Sequence, residues 1–143
     1  MQIKKILVAT DFSVYSERAI DYAAMLADQF SADIFLLHVI ESLTYSLTDT
    51  LTVVGHEKAL SVTATALLDN LVKELVEKKV SVRSDLVTGT PYREIIKKSQ
   101  EEDVDLIVVG THGRSGVEHF LLGSVAEKVI RVATCPVLTV RTS

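Results

Sequence analysis

Cysteine is nearly missing from this chain: Cys135 stands alone among 143 residues. One cysteine excludes an intramolecular disulfide and any cysteine-rich metal site. Long apolar runs are missing as well. Ile6–Ala9 and Leu106–Val109 are typical wholly apolar stretches, and nothing approaches the roughly 20 residues that span a bilayer. The start is basic, MQIKK, but the apolar stretch after it meets Asp11 almost at once. That is too short for the core of a signal peptide, about 7–15 residues. Positive charge is in deficit, with 15 Lys+Arg against 19 Asp+Glu and a net charge of −4. Such a chain has no net pull toward DNA, RNA or anionic lipid. The expectation is a cytoplasmic protein with neither a nucleic-acid nor a membrane partner. At 48% apolar and 24% charged, the composition is that of a soluble globular protein. The length fits one domain over residues 1–143, large enough to bury its own core.

Apolar runs alternate with amphipathic stretches. Ile3–Ala9, Ile34–Ile40, Val80–Val87, Asp105–Val109 and Pro136–Val140 read as strands. Between them, Ser13–Phe30, Glu57–Lys79, Pro91–Glu101 and Gly123–Ala133 carry helical spacing. Ser13 is placed to cap the first helix, and Thr90 to cap the third with Pro91 at its first position. Strands alternating with helices imply α/β architecture: an open parallel sheet of five strands between two helical layers, three layers αβα. Continuous apolar runs in the first, second and fourth strands suit strands covered on both faces. With right-handed crossovers the economical strand order is 3-2-1-4-5. Its switch point lies between the first and fourth strands, where such sheets bind ligands beyond their carboxyl ends. The segment Glu41–His56, rich in Thr and Ser, shows no clean period. It reads either as an early start to the second helix or as a flap over the carboxyl edge.

Chemistry concentrates after the fourth strand, in Gly110-Thr-His-Gly113-Arg114 and on to Gly123-Ser124. Gly110 and Gly113 let the backbone approach a ligand closely. Gly123-Ser124 opens a helix, where free N–H groups and the positive dipole end attract anions. Arg114 adds a cation suited to phosphate oxygens. These are parts of a phosphate cradle, although glycines after a strand also serve as plain turn formers.

The spacing Gly110-x2-Gly113-x9-Gly123-Ser124 matches G-x2-G-x9-G-[ST], the nucleotide-binding signature of the universal stress protein family. The resemblance runs along essentially the whole chain, through KKILVATDFS, LLHVI, GTPYREII and GSVAEKVIRVATCPVLTVR. It implies the family's Rossmann-like fold, akin to adenine nucleotide hydrolases, and its ATP-binding branch. By resemblance, Ala9, Thr10 and Asp11 match the segment that contacts adenine and ribose. Val39 matches a position whose backbone meets the adenine edge. Gly110 lies beside the ribose, and Gly113, Arg114, Gly123, Ser124 and Val125 line the phosphates. Thr111 and His112 belong to the same loop and join the binding set. The implied ligand is ATP, or AMP or ADP, with Mg²⁺ or Mn²⁺ bridging phosphates. Ala9 departs from those ATP-binding members that have proline there.

Other residues have plainer readings. Asp11 could cap the first helix instead of, or besides, touching a ligand. His112 and His119 flank Arg114 but have no partners at metal-ligand spacing. His38, in an apolar strand, reads as a satisfied core histidine, and Cys135 as a structural thiol. No catalytic residue and no metal ligand can be named. The chain lacks the Gly-x4-Gly-Lys-[Ser/Thr] of a P-loop, the Ser-Gly-Gly-x-Asp-Ser of an ATP pyrophosphatase and the Gly-x-Ser-x-Gly elbow of a hydrolase. The favoured function is a nucleotide-binding regulatory protein of the stress response, acting through conformation or partners. A slow ATPase or nucleotide transferase using the same cradle is the alternative. The fifth strand, apolar through Val137, Leu138 and Val140, suits a homodimer formed by pairing with its own copy, with Val140 near the two-fold axis.

Overall fold

The computed structural model describes residues 2–42, 50–112 and 122–141, with 50–54 by backbone alone. In chain order the elements are β1 (Lys5–Ala9), α1 (Val14–Phe30), β2 (Asp33–Glu41), α2 (Thr50–Glu77), β3 (Val82–Gly89), α3 (Pro91–Glu101), β4 (Leu106–Gly110), α4 (Ser124–Val132) and β5 (Val137–Val140). The strands form one parallel sheet in the order β3-β2-β1-β4-β5. This is the order expected from the strand–helix alternation. No described helix is long and apolar enough to cross a membrane.

Two apolar layers sandwich the sheet, and alternate residues of each central strand feed opposite ones. Ile6, Val8, Ile34, Leu36, Leu106 and Val108 face α1 and α2. Leu7, Phe35, Leu37, Ile107 and Val109 face α3 and α4. α1 presents Ala19, Ala23, Ala24 and Ala27 to the sheet, small side chains that let the helix lie close. It ends at Ser31, in the left-handed region with φ 54°. Ser13 caps α1 as expected: its hydroxyl accepts the Ser16 N–H at 3.3 Å. Thr90 holds the N-cap position of α3 before Pro91, but its side chain makes no capping bond.

Several boundaries differ from the sequence reading. α2 begins at Thr50 rather than Glu57, so residues 50–56 extend that helix. Residues 43–49, the rest of the segment read as a flap or an early helix start, lie outside the described residues. β3 runs from Val82 rather than Val80. Lys79 closes α2 with φ 63° and the Val80 N–H donates back to the Leu75 carbonyl at 3.0 Å, so Val80 belongs to the helix stop.

Asp105, expected to open β4, instead precedes it and clamps the neighbouring strand. One of its carboxylate oxygens accepts the Lys4 and Lys5 N–H groups at 2.8 and 2.9 Å. Those donors sit where β1 enters the sheet. Asp105→Ala removes both bonds and should lower stability by about 1–2 kcal/mol. Asp105→Asn, which keeps an acceptor oxygen, should recover most of the loss in urea unfolding. Equal stability of Asp105→Ala and the parent would show that the clamp contributes nothing.

Candidate functional site

At the carboxyl end of β1 the ladder continues one residue beyond the strand, with Thr10 N–H donating to the Leu37 carbonyl at 2.9 Å. The chain then turns sharply through Phe12, at φ 65°, an uncommon conformation for a residue with a side chain. Several contacts hold it there. The Thr10 hydroxyl accepts the Phe12 N–H and bonds the Ser16 hydroxyl, both at 3.0 Å. His38, buried in β2, donates its Nδ1–H to the Thr10 carbonyl at 2.7 Å. The Phe12 ring lies 4.3 Å from the His38 ring, centre to centre. His38 is therefore a satisfied histidine, as its apolar strand suggests, and it fastens the turn. Asp11 Oδ1 accepts the Ser13 N–H at 3.0 Å, so Asp11 shapes the approach to α1 while Ser13 makes the cap.

Across the switch point, Thr111 N–H donates to the Val140 carbonyl at 3.0 Å, and Gly123 N–H donates to the Thr111 carbonyl at 2.6 Å. That second bond pins the mouth of α4 against the end of β4. His112 Nδ1 is 3.0 Å from the Thr111 hydroxyl, and its ring faces Tyr15 of α1 at 5.5 Å. The two described glycines here are demanded by close packing. A Cβ on Gly110 would lie 2.9 Å from the Tyr15 carbonyl oxygen, and one on Gly123 would lie 2.8 Å from the Thr111 carbonyl oxygen. Gly123 has an ordinary backbone conformation, φ −58° and ψ 151°, so the contact rather than the dihedral requires glycine. A side chain at this position meets protein before it meets any ligand.

Between these two turns opens a cleft of about 640 Å³. Ala9, Thr10, Asp11, Val39, Gly110, Thr111, His112, Gly123, Ser124 and Val125 all line it. Gly113 and Arg114 lie outside the described residues, as does His119. The sequence reading omits three parts of the wall. Leu60, Ala64 and Leu67 of α2 close one side, and Glu41 stands at the end of β2. Tyr92 and Lys128 face each other on the opposite lip, the ammonium 5.1 Å from the ring centre. Helical spacing carries a signal for Lys128, which is four residues after Ser124 and so on the same helix face. The Arg93 guanidinium lies 5.6 Å from the same ring centre, and its Nε–H donates to the Tyr92 hydroxyl at 3.0 Å. That bond, with the charges of Arg93 and Lys128, holds the Tyr92 hydroxyl below the usual phenol range. Burial pushes the Cys135 thiol up and keeps it protonated, in keeping with a structural thiol. Among the described residues no group of three or more His, Cys, Asp or Glu side chains could hold a metal ion.

The model of the universal stress protein family matches residues 2–141. Universal stress protein YxiE of Bacillus subtilis is 37% identical over 145 residues, covering 96% of this chain and 98% of its own. Universal stress protein MJ0577 of Methanocaldococcus jannaschii is 34% identical over 153 residues, covering 96% and 94%. Its solved structure superposes over 100% of this chain and 99% of its own with a TM-score of 0.85. A crystal structure of a universal stress protein in complex with cAMP superposes over the full length of both chains, at 26% identity and a TM-score of 0.77. Sequence along nearly the whole chain and fold together place this protein in the universal stress protein family.

Proposed function

We propose that the cleft binds an adenine nucleotide, ATP foremost, with AMP or ADP as lesser ligands, and that the chain acts through the state of that site. One observation carries the reading. The turn after β1 and the mouth of α4, distant in sequence, line a single cleft at the switch point of the sheet. Its volume lies within the usual range for small-molecule sites. A cAMP-bound relative with the same fold supports an adenine ligand. In this arrangement Asp11 and Val39 serve the nucleoside, Gly110 lies beside the ribose, and the N–H groups opening α4 at Ser124 and Val125 face phosphate. Gly113 and Arg114 complete the phosphate side by their place in the signature. A Mg²⁺ or Mn²⁺ ion would arrive on the phosphate oxygens, since the described carboxylates and histidines form no cluster for it. Binding is favoured over turnover because the hydroxyls of Thr10, Ser13 and Ser16 are committed to one another and to the start of α1.

Asp11→Asn tests the nucleoside end cleanly. The amide oxygen can still accept the Ser13 N–H, so the turn keeps its bond and the melting temperature should hardly move. The lost charge should weaken adenosine and ATP alike, by about five- to tenfold in calorimetry. Unchanged affinity for both ligands would remove Asp11 from the site. Absence of adenosine and ATP binding by the parent protein would remove the nucleotide reading altogether.

We propose further that β5 pairs with its own copy to form a homodimer. Carbonyls of Pro136 and Val140 accept N–H groups of Ile107 and Thr111, on the β4 side. By alternation Leu138 also faces β4, while the backbone groups of Val137 and Thr139 face the open edge. Val140 is buried against the protein's own core, so its backbone rather than its side chain lies near a two-fold axis. Thr139→Pro should therefore remove an edge donor without cutting the β4–β5 ladder. Sedimentation at micromolar concentration should give a dimer for the parent and a monomer for Thr139→Pro. A monomeric parent overturns the dimer.

A further inference from the structure

Tyr92, Arg93 and Lys128 form a group that the family signature does not include. Tyr92 and Lys128 belong to different helices, α3 and α4, yet both line the cleft. Two cations lie within 6 Å of the Tyr92 ring centre, Lys128 at 5.1 Å and Arg93 at 5.6 Å. Neither forms an ion pair among the described residues. The nearest helical acid to Lys128, Glu127, is bonded to Arg131 at 2.7 Å. Two like charges gathered on one ring repel each other unless an anion joins them. The aromatic face steadies each cation but does not neutralise it. Lys128 also lies one helical turn beyond Ser124, so its ammonium and the N–H groups opening α4 can reach one ligand. The other described charges lining the cleft are the carboxylates of Asp11 and Glu41, which would repel an anion from their own end.

We propose that Lys128, on the cleft wall, and Arg93, outside that wall but against the same Tyr92 ring, are an anion subsite at the α3–α4 lip of the cleft. It takes the outer phosphates of a polyphosphate chain. The proposal rests on the nucleotide reading of the cleft and adds what that reading leaves open: discrimination by phosphate number. A nucleoside with two or three phosphates reaches the subsite. Adenosine does not, and a cyclic monophosphate, whose one phosphate is tied to the ribose, does not either.

Inorganic triphosphate probes the subsite without a nucleoside. Isothermal titration of the full chain should show triphosphate binding weakened about fivefold by Lys128→Gln, and further by Lys128→Gln with Arg93→Gln. The difference between parent and variants should shrink as salt rises. Tyr92→Leu, which removes the ring but keeps both cations, should give an intermediate loss. With nucleotides, Lys128→Gln should weaken ATP by the same factor and leave adenosine and cAMP unchanged. Near-parent melting temperatures would show that the variants fold. Triphosphate affinity unchanged in the double variant overturns the subsite, whatever adenosine does. Equal weakening of adenosine and ATP overturns it too, because the loss then lies in the shape of the cleft. Triphosphate binding that depends on Lys128 in a protein that binds no adenosine would uphold the subsite and defeat the nucleotide reading instead.

Discussion

Helices cover the sheet on both faces, and most of what the molecule can do follows from that constraint. A strand buried on two sides must be apolar on two sides. Ile6, Leu7 and Val8 in β1 and Ile107 and Val108 in β4 are wholly shut off from solvent. No charge is tolerated along those strands, so polar chemistry is pushed to their ends. β1 and β4 are neighbours in the sheet. β1 continues into α1 on one face, and β4 leads to α4 on the other. The two chains diverge from adjacent strand ends, and the space left between them is the cleft.

The walls of that cleft are held by backbone carbonyls more than by side chains. His38 reaches from β2 to the Thr10 carbonyl, and Gly123 reaches back to the Thr111 carbonyl. Each bond fixes one turn relative to the strand beside it. Phe12 is kept at a positive φ by two contacts, one from the Thr10 hydroxyl, itself bonded to the Ser16 hydroxyl, and one from the His38 ring. A turn so constrained presents Asp11 in one place, so a ligand that met it there would lose less to reorganisation.

The sheet is legible in the sequence because its signal is physical and local. IFLLHVI and LIVV read as strands hidden on both faces, and with right-handed crossovers 3-2-1-4-5 is the economical strand order. The edges are less legible. β3 mixes apolar and polar residues without a strict period, so its own pattern marks no start, and the Lys79–Val80 stop fixes where it begins. α2 starts earlier than its leucine stripe shows, because the Thr and Val residues that open it carry weak helical preference and give little signal in the sequence. The glycines of the signature stand out in the sequence, but their reason does not. Gly110 is set by the Tyr15 carbonyl of α1 and Gly123 by Thr111, contacts that cross the fold and leave no local trace. Tyr92 is invisible for the same reason, since its meaning arises only where α3 meets Lys128 of α4.

The charges along the cleft are sorted rather than mixed. Asp11 follows β1 and Glu41 ends β2, while Lys128 and the opening N–H groups of α4 stand past β4. The acids end the strands on one side of the switch point, and the cation and the helix dipole lie on the other. Such a gradient orients a bipolar ligand before any contact is made. A group rich in hydrogen-bond donors, such as an amine or a sugar hydroxyl, is drawn to the carboxylates. A polyanionic group is repelled there and attracted at α4. Reversing the ligand would cost both attractions at once, so the cleft favours one orientation of such a ligand. That orientation is set by the strand order, because β2 and β1 carry the acids on one side and β4 leads to the cation on the other.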